Sequence, residues 1–235
     1  MKAILLAAGV GRRISRSIST PKSLLKVGDS TILGNTVKML LKNNIEVAVV
    51  VGYMKNQLQS ELEGLPITFY YNPFYYITNS CSSLWFAKDF IDSESDIILA
   101  NADVFWEQSV LDTLLADERD IVMLADTSRT EIGDYFFQTK DGIVVRNGIN
   151  IPVEDRTCEY AGIAKIKKTH IPYFKKKLDD FVEGLKYNSW WENILYENKD
   201  VHPIHIRDIS QHFWSEVDFI EDYTRIQNYL NTNNN

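Results

Sequence analysis

Between Lys2 and Ala125 short apolar runs alternate with segments whose apolar residues recur every three or four positions. Lys2–Ala7, Glu46–Val51, Pro66–Tyr71, Asp96–Ala102 and Asp120–Ala125 read as buried strands. Thr31–Asn43, Met54–Leu62, Ser80–Ile91 and Gln108–Leu115 read as helices, with Leu33, Val37, Leu40 and Leu41 marking the apolar stripe of the first. Strands that alternate with helices are joined by crossovers, which make parallel neighbours. The expected fold class is therefore α/β: a Rossmann-like mixed, mostly parallel sheet flanked by helices. In open sheets of this kind ligands bind at the carboxyl ends of the strands. "AAGVGRR" (7–13) and "NAD" (101–103) both stand at such ends.

The second half changes style. "GDYFFQTKDGIVVRNG" (133–148) predicts a hairpin turning at Asp141–Gly142. "EYAGIAKI" (159–166) predicts a strand, followed by helices near His170–Phe181 and Ser189–Tyr196, a strand over Val201–Ile206 and a last helix over Phe219–Leu230. No linker or repeat interrupts the chain, and only the tail Asn231–Asn235 is of low complexity. One domain spanning 1–235, with a small substrate lobe built from its second half, fits this pattern.

Composition narrows the function classes. Lys and Arg total 25 against 32 Asp and Glu, a formal charge of −7, which leaves no general basic face for nucleic acid. The charge is uneven, however. Lys2, Arg12, Arg13, Arg16, Lys22 and Lys26 crowd the stretch 2–26, which holds no acid, so this segment is expected to meet an anion. Cys81 and Cys158 are too few for a disulfide framework, and a reducing cytoplasm is the expected location. No apolar run approaches a membrane span.

The Gly9-Val10-Gly11 turn admits three readings. A secretory signal is disfavoured because Ala3–Val10 is short, follows one lysine and precedes two arginines. A dinucleotide fingerprint lacks its third glycine, since Ile14 stands there, and "RRISRSISTPKS" (12–23) reads as a loop rather than the required helix. A long basic loop over a glycine turn suits a triphosphate best. Glycines let backbone N–H groups approach phosphate, Arg13 offers a guanidinium fork, and Lys22 offers a compact charge.

"LAAGVGRRI" followed by "PKSLLKV" (21–27) resembles the L-A-A-G-x-G-x-R-[LM] … P-K-x-L signature of nucleotidyltransferases that make nucleoside-diphosphate sugars and alcohols. The short members that transfer CMP, phosphocholine cytidylyltransferases and their phosphonate- or phospho-amino-acid-using relatives, are most similar in character. The resemblance implies a nucleotide-binding half (1–126) and an acceptor-binding half (127–235). It implies that Leu6, Ala7, Ala8, Gly9, Gly11, Arg13 and Lys22 bind the nucleotide, with Arg13 and Lys22 holding the triphosphate and the incoming phosphate, and that Asn79 and Ser83 stand where the family contacts base and ribose. Arg12 falls at a variable position and reads as a surface arginine. Asp103, just past a predicted strand, matches a metal-binding aspartate. "WSEVDFIEDY" (214–223) supplies a second, Asp218, with Glu216 on the same face of an extended segment. Capping of the last helix is a rival role for Asp218. The implied cofactor is Mg²⁺, with catalysis by Arg13, Lys22, Asp103 and Asp218. The implied partners are CTP and a small phosphorylated or phosphonate acceptor. A sugar-1-phosphate nucleotidyltransferase using UTP or dTTP and a non-catalytic nucleotide-binding protein stay open as alternatives, as does the oligomeric state.

Two further clusters are expected to matter less. His202 and His205 in "HPIH" have strand spacing that turns them to opposite faces, so ordinary histidines are expected. "WWENI" (190–194), with Tyr160 and Trp85 elsewhere, suggests an aromatic cage with a carboxylate for a cationic head group, read on Tyr160, Trp190, Trp191 and Glu192. Adjacent tryptophans on a helix point in different directions, so at least one is expected in the core.

Overall fold

The computed structural model describes residues 1–11 and 20–233. The strands are β1 (Lys2–Ala7), β2 (Lys26–Val27), β3 (Ser30–Thr31), β4 (Glu46–Val51), β5 (Thr68–Tyr71), β6 (Ile97–Asn101) and β7 (Val104–Trp106). They continue with β8 (Ile121–Asp126), β9 (Phe136–Lys140), β10 (Ile143–Gly148), β11 (Cys158–Ile166), β12 (His205–Asp208) and β13 (Trp214–Glu216). The helices are α1 (Ile32–Lys42), α2 (Lys55–Glu61), α3 (Ser80–Phe86), α4 (Gln108–Leu115), α5 (Ile171–Glu183), α6 (Asn193–Tyr196) and α7 (Ile220–Asn233).

The central sheet has the order β5-β4-β1-β6-β11-β8-β12-β10-β9, and β9 also pairs with β11. β5, β4, β1 and β6 are mutually parallel, as the alternation requires. β8 does not join β6. The antiparallel β11, from the second half of the chain, runs between them. Only β11 and β10 run against the rest, so the mixed, mostly parallel sheet forms.

Period-two alternation along each central strand feeds two cores. Ile4, Ala48, Val50, Leu99 and Met123 face one side, with Leu84 of α3 and Phe174 and Leu178 of α5. Ala3, Leu5, Val47, Val49, Ile98 and Val122 face the other, with Leu33 and Val37 of α1, Leu58 of α2 and Leu111 of α4. Both faces are thus covered, which is why these strands read as continuous apolar runs. Among the described residues no helix is long and apolar enough to cross a membrane.

Some expected boundaries move for identifiable reasons. Thr31 caps α1 rather than opening it, its Oγ1 accepting from the Gly34 N–H at 2.9 Å. The helix expected over Ser80–Ile91 stops at Phe86 and resumes as a 3-10 turn over Lys88–Phe90, whose tighter period turns Ala87 and Phe90 into the same core. The hairpin turns at Asp141 (φ 53°) and Gly142 (φ 75°), two left-handed residues that match the twist of the strands. The last strand expected, Val201–Ile206, begins only at His205. The Val201 and His202 N–H groups bond to the Asn198 carbonyl, and Pro203 has no N–H to give a ladder. Ser189–Tyr196 is helical only over α6.

Candidate active site

The carboxyl ends of β1 and β6 meet segments of β11, β13 and the 190–196 stretch around a cavity of about 620 Å³. Leu6, Ala8 and Gly9 line it. Ala7 does not. Strand alternation turns its side chain into the opposite core with Val49 and Val51, which leaves its backbone for the expected nucleotide contact. Gly11 adopts φ 64°, and a Cβ there would stand 3.2 Å from Lys22 Cγ, so the glycine both makes the turn and lets the Lys22 stem cross it. Arg12 and Arg13 lie outside the described residues.

Lys22 opens a 3-10 turn after Pro21. Its Nζ donates to Asp218 Oδ1 and stands 3.5 Å from Asp103 Oδ2. Burial disfavours its charge, but Asp103, Asp218 and Glu216 outweigh that effect and hold its pKa above the ordinary lysine value. The segment that follows Lys22 is anchored to the last helix at Lys26. Tyr223 Oη and Gln227 Nε2 of α7 both donate to the Lys26 carbonyl, at 2.8 and 2.7 Å.

Asp103 and Asp218 are far apart in sequence and neighbours in space because β7 and β13 form a small antiparallel ribbon. Val104 stands opposite Glu216, and the Val217 N–H donates to the Asp103 carbonyl at 3.1 Å. The extended run at Glu216–Asp218 is legible in the sequence, but its pairing with β7, each strand being only three residues long, is not. Arg129 ties β13 down from behind. It donates to the Trp214 carbonyl at 2.9 Å and stacks 4.2 Å from that indole, whose Nε1 donates to Asp126 Oδ2 at 2.9 Å. The rival role for Asp218 is served by its neighbour. Asp222 Oδ2 accepts from the N–H groups of Asp218 and Phe219 at 3.0 and 2.8 Å, while the Asp218 carboxylate accepts from Lys22.

Asp103, Glu216 and Asp218 all line the cavity. Desolvation raises the pKa of Asp103, with Asp218 adding to it against the pull of Lys22. Desolvation, then Asp103 and Asp218, pushes Glu216 well above its ordinary value. Among the described residues Lys22 is thus set against three carboxyls, two of which burial pushes toward the neutral form. Among the described residues no three His, Cys, Asp or Glu side chains form a ready-made metal cage. Two carboxylates on the wall of this cavity are instead a hard oxygen donor set of the kind that shares Mg²⁺ with phosphate oxygens and water. His202 and His205 do not line the cavity. His202 packs 4.5 Å from the His170 ring and 4.2 Å from Tyr173, and His205 lies in β12.

Asn79 and Ser83 also line the cavity. Asn79 caps α3, with Oδ1 accepting from the Ser80 N–H at 2.8 Å. Ser83 Oγ accepts from the fully buried Asn72 Nδ2 at 3.0 Å. Asn72 also bonds Thr78 Oγ1 and the Phe74 N–H, and so fixes the loop entering α3. Sequence reasoning passed over Asn72. Its signal was Asn-Pro, a turn-forming pair.

Of the four residues read as a cage, Tyr160, Trp190 and Glu192 line the cavity. Trp191 is the correction. It is completely buried in the core and its Nε1 donates to Asn101 Oδ1 at 3.4 Å, because consecutive residues here point apart. Trp85 instead donates to Asp179 Oδ1 at 2.8 Å, away from the cavity lining. Two tyrosines missed in the sequence take part. Tyr135 stacks on Tyr196 at 5.9 Å and meets Trp190 edge-on at 5.7 Å. Both line the cavity, but neither lies in a motif that marks it.

Burial raises the Glu192 carboxyl from 4.5 to about 8. The folded chain thus holds this proton more tightly than the unfolded chain. That contribution to stability is complete below pH 4.5 and is lost as pH rises toward 8. Glu192→Gln is expected to match the parent in thermal unfolding at pH 4.5 and exceed it at pH 8.5, by roughly 2–4 °C for each kcal/mol recovered. Equal melting temperatures at both pH values would place Glu192 in contact with bulk water.

Comparison with known proteins agrees with this architecture. The chain is 25% identical to the CTP:phosphoglutamine cytidylyltransferase of Campylobacter jejuni over 94% of this chain and 97% of that one. It is 26% identical to the CMP-5'-(3-aminopropyl)phosphonate synthase of Streptomyces rubellomurinus over 93% of this chain, spanning 37% of that longer protein. The solved CTP:phosphocholine cytidylyltransferase of Streptococcus pneumoniae superposes with a TM-score of 0.77 at 20% identity, covering 97% of this chain and 98% of that one. Residues 3–200 match the model of the MobA-like NTP transferase domain, and the chain belongs to that family.

Proposed function

We propose that this nucleotidyltransferase moves CMP from CTP to a small phosphorylated or phosphonate acceptor with a cationic head group and releases pyrophosphate. The observation that carries the reading is one cavity that holds both Lys22's carboxylate partners, Asp103 and Asp218, and a buried carboxyl, Glu192, among aromatic rings. The first group suits a triphosphate with its metal; the second suits a small cation. Relatives whose names specify CTP support the choice of nucleotide.

In this reading the Gly9–Gly11 turn offers backbone N–H groups to phosphate, and Lys22 and Arg13 neutralise it. Asp103 and Asp218, with Glu216 alongside, would hold Mg²⁺, which supplies charge neutralisation at the reacting phosphate. The attacking acceptor oxygen is already anionic, so no general base is needed. Catalysis then rests on positioning and on fixed charge aimed at the triphosphate. Asn79 and Ser83 would meet the base and ribose. Buried free thiols at Cys81 and Cys158, together with a nucleotide substrate, fit a cytoplasmic enzyme.

Pyrophosphate release measured with CTP, UTP and dTTP against phosphocholine, phosphoethanolamine, 2-aminoethylphosphonate and glucose 1-phosphate tests the reading. Turnover confined to CTP with an amine-bearing acceptor is the expected result. Preference for a sugar phosphate with UTP or dTTP would overturn it, and CTP binding without turnover of any acceptor would indicate a binding protein. The two tryptophans give a finer check. Trp190→Leu is expected to raise the acceptor KM about threefold to thirtyfold, the scale of one cation–π contact, with little change in stability. Trp191→Leu should instead cost roughly 2–4 kcal/mol of stability, slightly less than truncating a core tryptophan to alanine.

A further inference from the structure

Among the described residues the cavity wall carries one basic side chain, Arg156, and the other charged groups on it are acids. Arg156 follows the 3-10 turn Val153–Asp155 and leads into β11. Its guanidinium stacks 3.8 Å from the Phe136 ring. Nε donates to the Ile151 carbonyl at 2.8 Å, and Nη1 donates to the carbonyls of Thr130 and Glu131 at 3.3 and 3.2 Å. These partners are neutral. Asp155, its neighbour in sequence, pairs instead with Arg146 at 2.9 Å, and no described carboxylate forms an ion pair with Arg156. Nη2 makes no hydrogen bond among the described residues and is not sealed from solvent.

An arginine pinned in this way keeps its full charge and two N–H donors, with its orientation already set by the backbone. Such donors suit a carboxylate. Where an anion would meet them follows from the course of β11. Gly162 of this strand abuts Val104 and Asn101, the residues on either side of the Asp103 turn. Arg156 stands six residues back along the extended chain, roughly 15–20 Å away at strand spacing. Tyr160, hydrogen-bonded to the Glu192 carboxyl, lies between them. A phosphate that reacts beside Asp103 and Asp218 is therefore out of reach of Arg156, and the anion it can bind is a second one, beyond the cationic head group. We propose that the acceptor carries a carboxylate as well as its cation, bound by Arg156, which makes it a phosphorylated amino acid or similar zwitterion rather than a simple amino alcohol. This rests on the reading of the site as one for a small cationic acceptor and adds the group that selects among such acceptors.

The test pairs acceptors that differ only at that group: O-phosphoserine and O-phosphohomoserine, each against its methyl ester, with phosphoethanolamine alongside. With CTP, kcat/KM for at least one free acid is expected to exceed that of its ester by about tenfold to a hundredfold, the scale of a hydrogen bond to a charged group. Arg156→Gln should shrink that ratio toward one and Arg156→Lys should recover part of it, while Arg146→Gln should leave it large. Esters turned over as well as both acids would overturn the proposal. So would an Arg156→Gln variant that lowers acid and ester in equal proportion, since Arg156 would then only clamp the backbone around it. Calorimetric binding of the acids and esters reads the same preference without turnover. A binding preference for an acid with no CTP-dependent chemistry would uphold the carboxylate site and refute the cytidylyl reading. Turnover of phosphoethanolamine with CTP and no preference for either acid would do the reverse.

Discussion

Replacing Lys22 by alanine is expected to lower kcat at least about a hundredfold, the scale of removing one preorganised electrostatic contact from a water-poor site. Lys22 has a side chain only 10% exposed and lies between Asp103 and Asp218, with its stem across the Gly11 turn. Among the described residues no other cation reaches both carboxylates. Stability changes as well. Without the ammonium, Asp103, Glu216 and Asp218 face one another, and breaking a buried pair costs up to about 3–5 kcal/mol before relaxation. Protonation relieves that repulsion. The melting-temperature gap between Lys22→Ala and the parent should therefore be widest near pH 8 and narrow toward pH 5. Pyrophosphate release and thermal unfolding on the same preparations measure both effects. Near-normal turnover in the variant would remove Lys22 from the triphosphate site, and a gap that widens in acid would contradict the charge cluster.

Asp103→Asn and Asp218→Asn should both abolish turnover to within the hundredfold-to-thousandfold range expected when a charge on the reacting centre is lost. They should differ in stability. The pKa of Asp103 is raised chiefly by desolvation, so the fold favours its neutral form, and a neutral asparagine there should leave the melting temperature unchanged or higher. Asp218 bonds Lys22 directly, and its loss should lower the melting temperature. Added Mg²⁺ should raise the melting temperature of the nucleotide-bound parent but of neither variant. Full activity in Asp103→Asn would take that residue out of the metal site, and a purely structural defect in Asp218→Asn would return it to a capping role.

Much of this architecture is legible in the amino-acid sequence because it depends on local periodicity. Buried parallel strands need apolar runs on both faces, and crossover helices need an apolar stripe, so β1, β4, β5, β6 and α1 declare themselves in order. The glycine turn is equally local. Its residues must pass close to a partner atom, and only a missing side chain allows that at Gly11. The elements that escaped are short. β7 and β13 have three residues each; the extended run of β13 is readable but its partner is not, and the ribbon exists because each strand supplies the other's hydrogen bonds.

The amino-acid sequence by itself determined that the chain would build an α/β sheet, and that a glycine turn would stand at its carboxyl edge. It also determined that Asp103 would fall at a strand end. Only the tertiary structure decided which distant residues share that edge. Insertion of β11 between β6 and β8 brings Tyr160 to the cavity. The β7–β13 ribbon brings Asp218 and Glu216 to Asp103, and the break before α6 turns Trp190 to the cavity and Trp191 to the core. The reason is physical. Periodicity reports the surroundings of a residue within one element, whereas a site is assembled by pairings between elements. Those pairings are chosen by backbone hydrogen bonds and packing across the whole fold, which leave little trace in any short stretch of chain.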